Sequence, residues 1–194
     1  MKQRSTDLNT PNKTPKKAKR KSFGALFELT LFAMFGSFMF VSKVFMEFLP
    51  NIHLLGMLIM VLTVVFRAKA LIPIYIYVFL NGVYSGFATW WFPYLYVWTV
   101  LWGATMLLPK NMPKKVALIV YPIVCALHGL LFGVLYAPGQ ALLYGYTFEQ
   151  TLVWISMGMT FDLLHTVGDF CAGLLIIPLS EALKKILTSR SRKD

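Results

Sequence analysis

The chain has 194 residues, of which 57% are hydrophobic and only 14% are charged, and its formal net charge is +11. A soluble domain rarely combines so much apolar surface with so few charges, whereas long apolar runs separated by short basic loops are typical of a multi-pass membrane protein. The basic residues lie in the tails and loops, which is a topology signal and does not indicate a nucleic-acid partner.

Residues 1–22 are rich in Lys, Thr, Asn and Pro and are predicted to form a disordered, basic cytoplasmic tail. The apolar run that follows is long and lacks a clear small-residue cleavage site, so we expect an uncleaved first span and not a signal peptide. Residues 23–187 are predicted to form the membrane domain. Residues 188–194 would be a second basic cytoplasmic tail.

The apolar residues fall into six segments, which predict an all-α membrane protein with six transmembrane helices. A span needs roughly 20 helical residues, and each segment approaches that length with its flanks. Continuous apolar runs favour helices over a β-barrel, whose strands alternate. The segments cover residues 24–42, 50–66, 70–88, 91–108, 116–136 and 151–178.

The basic residues also predict the orientation. With the N-terminus inside, all but one of the 19 Lys and Arg residues fall on the cytoplasmic side, as the positive-inside rule requires. The exception is Lys43, which Glu47, one helical turn further on, can pair with. Both termini are therefore predicted to be cytoplasmic.

The last segment contains "FDLLHTVGDF", in which Asp162, His165 and Asp169 fall within about 60° of arc on a helix. A carboxylate at mid-membrane costs about 2.5–3.5 kcal/mol even on a lenient insertion scale. We therefore expect this stripe to face protein or a cavity and not lipid. For Asp169, which lies deeper, an interhelical hydrogen bond or a contact with a partner protein is the favoured role.

Other segments carry polar or aromatic residues at a similar depth. Asn81 and His128 lie in the outer halves of the third and fifth segments, and Tyr94 and Trp98 are spaced i,i+4 in the fourth. Together they predict an outward-facing ligand cup with aromatic walls and a few directed polar groups at its floor. Purely structural roles stay open as well. His128 could form a hydrogen bond with a neighbouring helix, and the tryptophans could belong to the belt of aromatic residues at the membrane interface.

The sequence does not predict an enzyme. It contains no GxxxxGK[ST] phosphate loop, no HExxH and no His/Cys cluster with metal-ligand spacing. Ser85 precedes Gly86, but Gly82 lies one residue too early for the GxSG context of rhomboid proteases. No cofactor and no metal is predicted.

Six short spans with both ends inside and a cup facing out resemble the substrate-binding S component of an energy-coupling factor (ECF) vitamin transporter. The resemblance covers residues 24–187. The stretches that most resemble the family are "PNIHLLGMLI", "WWFPYLYVWT" and "FDLLHTVGDF". S components also carry a small-xxx-small pattern in the first helix, which Ala33 and Ser37 match in "LFAMFGSF". Ser37 departs from the family, which often has Ala there.

The resemblance implies a protein of the bacterial plasma membrane that captures a vitamin-like small molecule. A transmembrane coupling protein, which would dock at Ala33 and Ser37, and two ATPase subunits would drive its release inward. The resemblance implies three roles within the cup. The mouth would be shaped by Asn51 and His53, and a flat ligand ring would stack on Tyr84, Trp91, Tyr94 and Trp98. Directed hydrogen bonds would come from Asn81, His128, Asp162 and His165.

An acidic floor without an inward basic residue favours a neutral or cationic ligand over an anionic one. Cobalamin, pyrimidine or pyridine vitamins and thiamin-like cations all stay open. The alternative function is a scaffold, because MreD-like cell-shape proteins also form small six-helix membrane units. A stand-alone secondary carrier is less favoured, since the chain shows no internal repeat and no span broken at its midpoint.

Overall fold

The computed structural model describes residues 16–49 and 52–191, and within these ranges every regular element is a helix. Two 3-10 turns, Arg67–Ala70 and Thr89–Trp91, join longer helices. The α-helices are α1 (Lys16–Phe45), α2 (Leu55–Phe66), α3 (Leu71–Ser85), α4 (Tyr94–Leu107), α5 (Lys114–Leu130), α6 (Phe132–Tyr144), α7 (Phe148–Gly173) and α8 (Ile176–Ser191). The all-α prediction is confirmed for the described residues.

Two sequence predictions lie partly or wholly outside these ranges. Asn51, which was predicted to shape the mouth of the cup, is not among the described residues. The same holds for residues 1–15 and 192–194 of the two predicted tails. Helix α1 begins at Lys16, inside the segment predicted as the first tail, so the division into tails and membrane domain stays a prediction.

Three helical runs are long and apolar enough to cross a membrane, namely Gly24–Phe45, Leu55–Ser85 and Lys114–Tyr144. A fourth crossing is possible if α7 and α8, which meet at a bend of 44°, count as one span. The 14 residues of α4 reach about 21 Å, which is shorter than the hydrocarbon core of about 30 Å. By length and composition alone, with Leu55–Ser85 taken as one continuous helical run, three to four of the six predicted spans are supported.

The run Leu55–Ser85 is not one straight helix, because the 3-10 turn Arg67–Ala70 separates α2 from α3. The rings of His53 and Tyr77 both approach Trp98, with centroids 6.0 and 6.2 Å away. A straight helix would separate residues 53 and 77 by about 36 Å. The chain therefore reverses within this run, and α2 and α3, of 12 and 15 residues, are each shorter than a full span.

The reversal occurs at Arg67, whose φ of 55° and ψ of −124° end α2. Its guanidinium donates to the carbonyl oxygen of Met106 at 2.8 Å, and its own carbonyl accepts from Trp102 Nε1 at 3.2 Å. Both partners lie in the last part of α4. These bonds stabilise a backbone conformation that residues other than glycine rarely adopt.

Helix α2 lies at the centre of the packed region. All residues from Leu55 to Thr63 are buried, and α4, α5, α7 and α8 pack against them. A helix that is apolar on every side is expected to be enclosed. The segment that precedes α2, with His53, is half-buried at the edge of this packed region.

Helices α5 and α7 pack closely because glycines lie between them. Gly129 approaches the backbone of His165, and Gly173 approaches Pro122, so closely that a Cβ atom would be 3.1 and 2.7 Å from these neighbours. Small residues allow membrane helices to associate at short distance. This packing turns the polar stripe of α7 towards α5 and α2.

Candidate functional site

The buried face of α7 is its polar face. Asp162, His165 and Asp169 are buried, together with the small residues Ala172 and Gly173. The large apolar side chains of the same helix are exposed, as suits contact with lipid tails; they include Phe161, Leu163, Leu164, Val167 and Phe170. The prediction that the stripe faces protein or a cavity is therefore confirmed.

A cavity of about 240 Å³ reaches this stripe from the end of the helices where α1 leads into α2. Its lining combines charged, aromatic and aliphatic side chains. The lining residues are Lys43, Met46, Glu47, Leu49, Ile52, His53, Tyr94, Phe132 and His165. Three of the predicted ligand residues, His53, Tyr94 and His165, thus line one cavity although they come from three separate parts of the chain.

An ion pair lies at the mouth of the cavity. Lys43 donates to Glu47, as the i,i+4 spacing predicted. Both side chains are partly exposed to solvent, and such exposed pairs contribute little to stability.

Two of the residues that line the cavity, His53 and His165, belong to a cluster of ionisable groups that extends inward to Asp169. The His53 and His165 rings are 4.6 Å apart, and His165 Nε2 lies 3.4 Å from Asp169 Oδ2. Asp169 is fully buried, and neither of its carboxylate oxygens has a hydrogen-bond partner among the described residues. Gly56 and Gly129 make room for this carboxylate, since a Cβ atom at either position would lie about 3 Å from it.

Trp98, a predicted ligand residue, does not line the cavity but is buried among aromatic rings beside this cluster. Its ring lies 5.7 Å from those of Tyr94 and His128 and 5.5 Å from that of Phe132. Several other buried side-chain polar atoms lack partners in the described part of the chain. They are Trp98 Nε1, Tyr77 Oη, His128 Nδ1 and both polar atoms of the Asn81 side chain.

Three predicted ligand residues have structural partners instead and do not line the cavity. Asp162 Oδ2 accepts from the backbone N–H of Gly133 at 3.1 Å, in the first turn of α6. His128 Nε2 lies 3.1 Å from the carbonyl oxygen of Val97. The third, Trp91, donates from Nε1 to the carbonyl oxygen of Val78 at 2.8 Å. For His128 the structure thus shows a hydrogen-bond partner on a neighbouring helix, which is the structural role that the sequence left open.

Tyr84 lies away from the cavity. Its side chain is 59% exposed, and its ring packs edge-on against Phe40 at 5.5 Å. Its predicted role of stacking on a ligand ring has no support from this position, because Tyr84 does not line the cavity and α3 ends one residue later at Ser85.

Two important residues of the site were not predicted as ligand contacts. Phe132 lines the cavity and approaches the His165 ring at 5.0 Å; its i,i+4 spacing from His128 was the signal in the sequence. Asp169 was assigned to helix packing or a partner. Its closeness to His53 gave no sequence signal, because His53 comes from a distant part of the chain.

The predicted partner face of α1 is exposed. Ala33 and Ser37 lie on one side of the helix, next to the exposed side chains of Met34 and Phe38. Gly36 lies roughly a quarter of a turn around the helix, on an adjacent face, and packs against Ile76 of α3. The exposed small residues leave a shallow strip that another helix could approach closely.

Comparison with known proteins identifies no relative: no family model, no curated protein and no solved structure matches this chain. The functional argument therefore rests on the sequence pattern and on the geometry of the site.

Proposed function

We propose that this protein is the substrate-capture subunit of an ATP-driven, ECF-type importer in the bacterial plasma membrane. It binds a vitamin-like or related small molecule from outside and is not an enzyme. A transmembrane coupling protein and two ATPase subunits supply the energy. The observation that carries the proposal is the cavity on which His53, Tyr94 and His165 converge.

The chemistry of the cavity supports binding of a small, partly polar molecule. Ligand sites are mostly apolar clefts with a few placed polar groups, and here Tyr94 and Phe132 supply ring faces while two imidazoles supply directed polar atoms. The volume of about 240 Å³ is below the roughly 300–1,000 Å³ of most ligand pockets. It favours a compound of one small ring or less over cobalamin.

The exposed strip at Ala33 and Ser37 supports a partner that packs on α1. In the proposed importer this strip is the docking face for the coupling protein. Replacing either residue by a large one, as in Ala33→Phe, is expected to reduce co-purification with the coupling protein and to leave solute binding unchanged.

The test is uptake by cells. A solute that raises the melting temperature of the purified protein should accumulate in cells that express the chain with an energising module. Accumulation should stop when the ATPase subunits are inactivated. Uptake that persists without any ATPase partner would favour a stand-alone carrier and contradict the proposal.

The scaffold alternative makes a different prediction for the cavity. A scaffold needs no ligand floor, so the double variant Asp162→Asn/His165→Gln should keep full scaffold activity. Under our proposal the same change removes solute-induced stabilisation while the protein still folds. His165→Gln alone is the sharper variant, because Asp162 also supports α6.

A further inference from the structure

The cluster of His53, His165 and Asp169 contains buried polar atoms without hydrogen-bond partners among the described residues. His165 is 1% exposed and Asp169 is 0% exposed. Neither ring nitrogen of His165 and neither oxygen of Asp169 has a hydrogen-bond partner in the described ranges. Buried polar groups are normally paired, and a buried charge almost always is.

The geometry is unfavourable for a simple His–Asp hydrogen bond. The two atoms are 3.4 Å apart, whereas charge-assisted N–H···O bonds are about 2.7–2.9 Å long. Two ligand atoms bound to one ion at about 2.1 Å are, in a tetrahedral site, about 3.4 Å from each other. The observed separation therefore fits a pair of ligands to one ion.

The third ligand comes from the segment before α2. One ligand atom each of His53, His165 and Asp169 can be chosen so that all lie within 4.8 Å of one another. To bind one common ion, the most distant of these ligand atoms must move about 1–1.5 Å closer to the others. His53 precedes the first turn of α2 and is not held by helical hydrogen bonds, so it can make this adjustment.

We propose that His53, His165 and Asp169 bind one divalent transition-metal ion. Two imidazoles and one carboxylate suit Zn²⁺, Fe²⁺, Co²⁺ or Ni²⁺, whereas Mg²⁺ and Ca²⁺ prefer sites built from oxygen. Three protein ligands leave one or more coordination positions open, and the cavity that His53 and His165 line would give a further ligand room to bind there. The inference rests on the proposed function, because it makes the captured solute the metal ion itself or a small molecule that coordinates it.

The experiment uses the full-length chain, purified in detergent and stripped with a chelator. Zn²⁺ and Co²⁺ are titrated separately, by calorimetry and by the visible absorption of Co²⁺, with Mg²⁺ as the comparison ion. We expect one Zn²⁺ or Co²⁺ per chain and no comparable binding of Mg²⁺. His53→Gln, His165→Gln and Asp169→Asn should each weaken binding at least about tenfold, while Glu149→Gln, an exposed carboxylate of the same helix α7, should not.

One further variant distinguishes the loss of a metal ligand from misfolding, because it is expected to gain a spectroscopic signal. His165→Cys replaces one metal ligand by another, so it should still bind Co²⁺ and add a thiolate-to-cobalt charge-transfer band. No stoichiometric binding by the wild type, or equal binding by the three ligand variants, would overturn the inference.

The outcome also separates this inference from the proposed function. A retained organic solute with no metal would overturn the metal site alone. Metal binding in a chain whose solute uptake does not depend on ATPase partners would support the site and contradict the importer.

Discussion

Asp162 is a buried carboxylate whose hydrogen-bond partner is a backbone N–H group of a neighbouring helix. Helix α5 ends at Leu130, α6 begins at Phe132, and the free N–H of Gly133 at the new helix start donates to Asp162. An anionic acceptor near a helix N-terminus is favourable because it meets both the unpaired N–H groups and the helix dipole. Asp162 therefore stabilises the junction of the α5–α6 run, which packs along α7.

Removing this carboxylate should lower stability more than it lowers solute binding. Asp162→Ala leaves the Gly133 N–H buried and unpaired, so we expect the free energy of unfolding to fall by about 1–2 kcal/mol. Asp162→Asn keeps an acceptor oxygen and should lose less. Thermal unfolding in detergent measures both changes. Wild-type stability of Asp162→Ala would contradict the role in capping.

The contrast between Asp162 and His165 marks what helix periodicity can predict. The spacing of the two residues correctly placed both on a buried face of α7. It could not assign different tasks to them, because the partner of Asp162 lies on α6 and that of His165 is His53, before α2. Those assignments depend on how the helices pack, which one helix does not specify.

At the scale of elements, glycines decide how closely α2 approaches the cluster. A Cβ atom at Gly56 would be 2.9 Å from both Asp169 Oδ1 and Cys125 Sγ. Gly158 on α7, in contrast, has no atom within 4 Å of such a Cβ. The two positions therefore form a matched pair for substitution by alanine.

Gly56→Ala should destabilise the protein by about 1–3 kcal/mol, because the core has no room for the methyl group. It should also displace Asp169 and weaken binding at the cluster. Gly158→Ala should be neutral or stabilise by up to about 1 kcal/mol, since alanine favours the helix. Thermal unfolding of the two variants side by side is the measurement, and equal effects would contradict the packing described here.

The hairpin between α2 and α3 depends on the backbone of Arg67. Arg67→Ala and Arg67→Gly both lose the guanidinium bond to Met106, but only glycine adopts the positive φ without strain. We expect Arg67→Gly to be more stable than Arg67→Ala by about 0.5–1 kcal/mol, the cost of the conformation less the extra freedom of unfolded glycine. The opposite order in denaturation experiments would argue against the reversal at this residue.

Element boundaries were predicted less well than element types. The apolar pattern predicted helix in all six segments, but α4 is shorter than a span and α2 has only 12 residues. The pattern overstated their lengths because apolar residues continue into the connecting turns, where aromatic side chains such as Trp91 pack against helices. An apolar run indicates that its residues are buried or face lipid, but it does not indicate whether their backbone is helical.

At the scale of the whole molecule, the distribution of basic residues predicts the topology. Glu149 and Lys115 are both exposed and fall on opposite sides of the membrane in the predicted orientation. In a Cys171→Ser background, a membrane-impermeant maleimide should label Glu149→Cys from outside and Lys115→Cys only after permeabilisation. Cys125 is fully buried and should stay unlabelled. The reverse pattern would invert the topology and place the cavity inside.

The existence of a cavity could be anticipated from the sequence, but its composition could not. His53 and Tyr94 were expected near the mouth and wall, and both line it. The cluster with Asp169 emerged only from the fold, because its members come from two segments that no local spacing connects. Sites assembled from distant segments carry no motif, which is why a search for metal-ligand spacing predicted no metal.

The central claim is that the cavity holds a small solute, and one measurement tests it most directly. The protein is purified in detergent from cells grown in rich medium, denatured, and the released small molecules and metal ions are identified by mass spectrometry. Our account predicts a stoichiometric solute that is absent from the His165→Gln variant and present in Glu149→Gln. A blank from the wild type, together with no thermal stabilisation by a panel of vitamins and metal ions, would contradict the account and favour a scaffold.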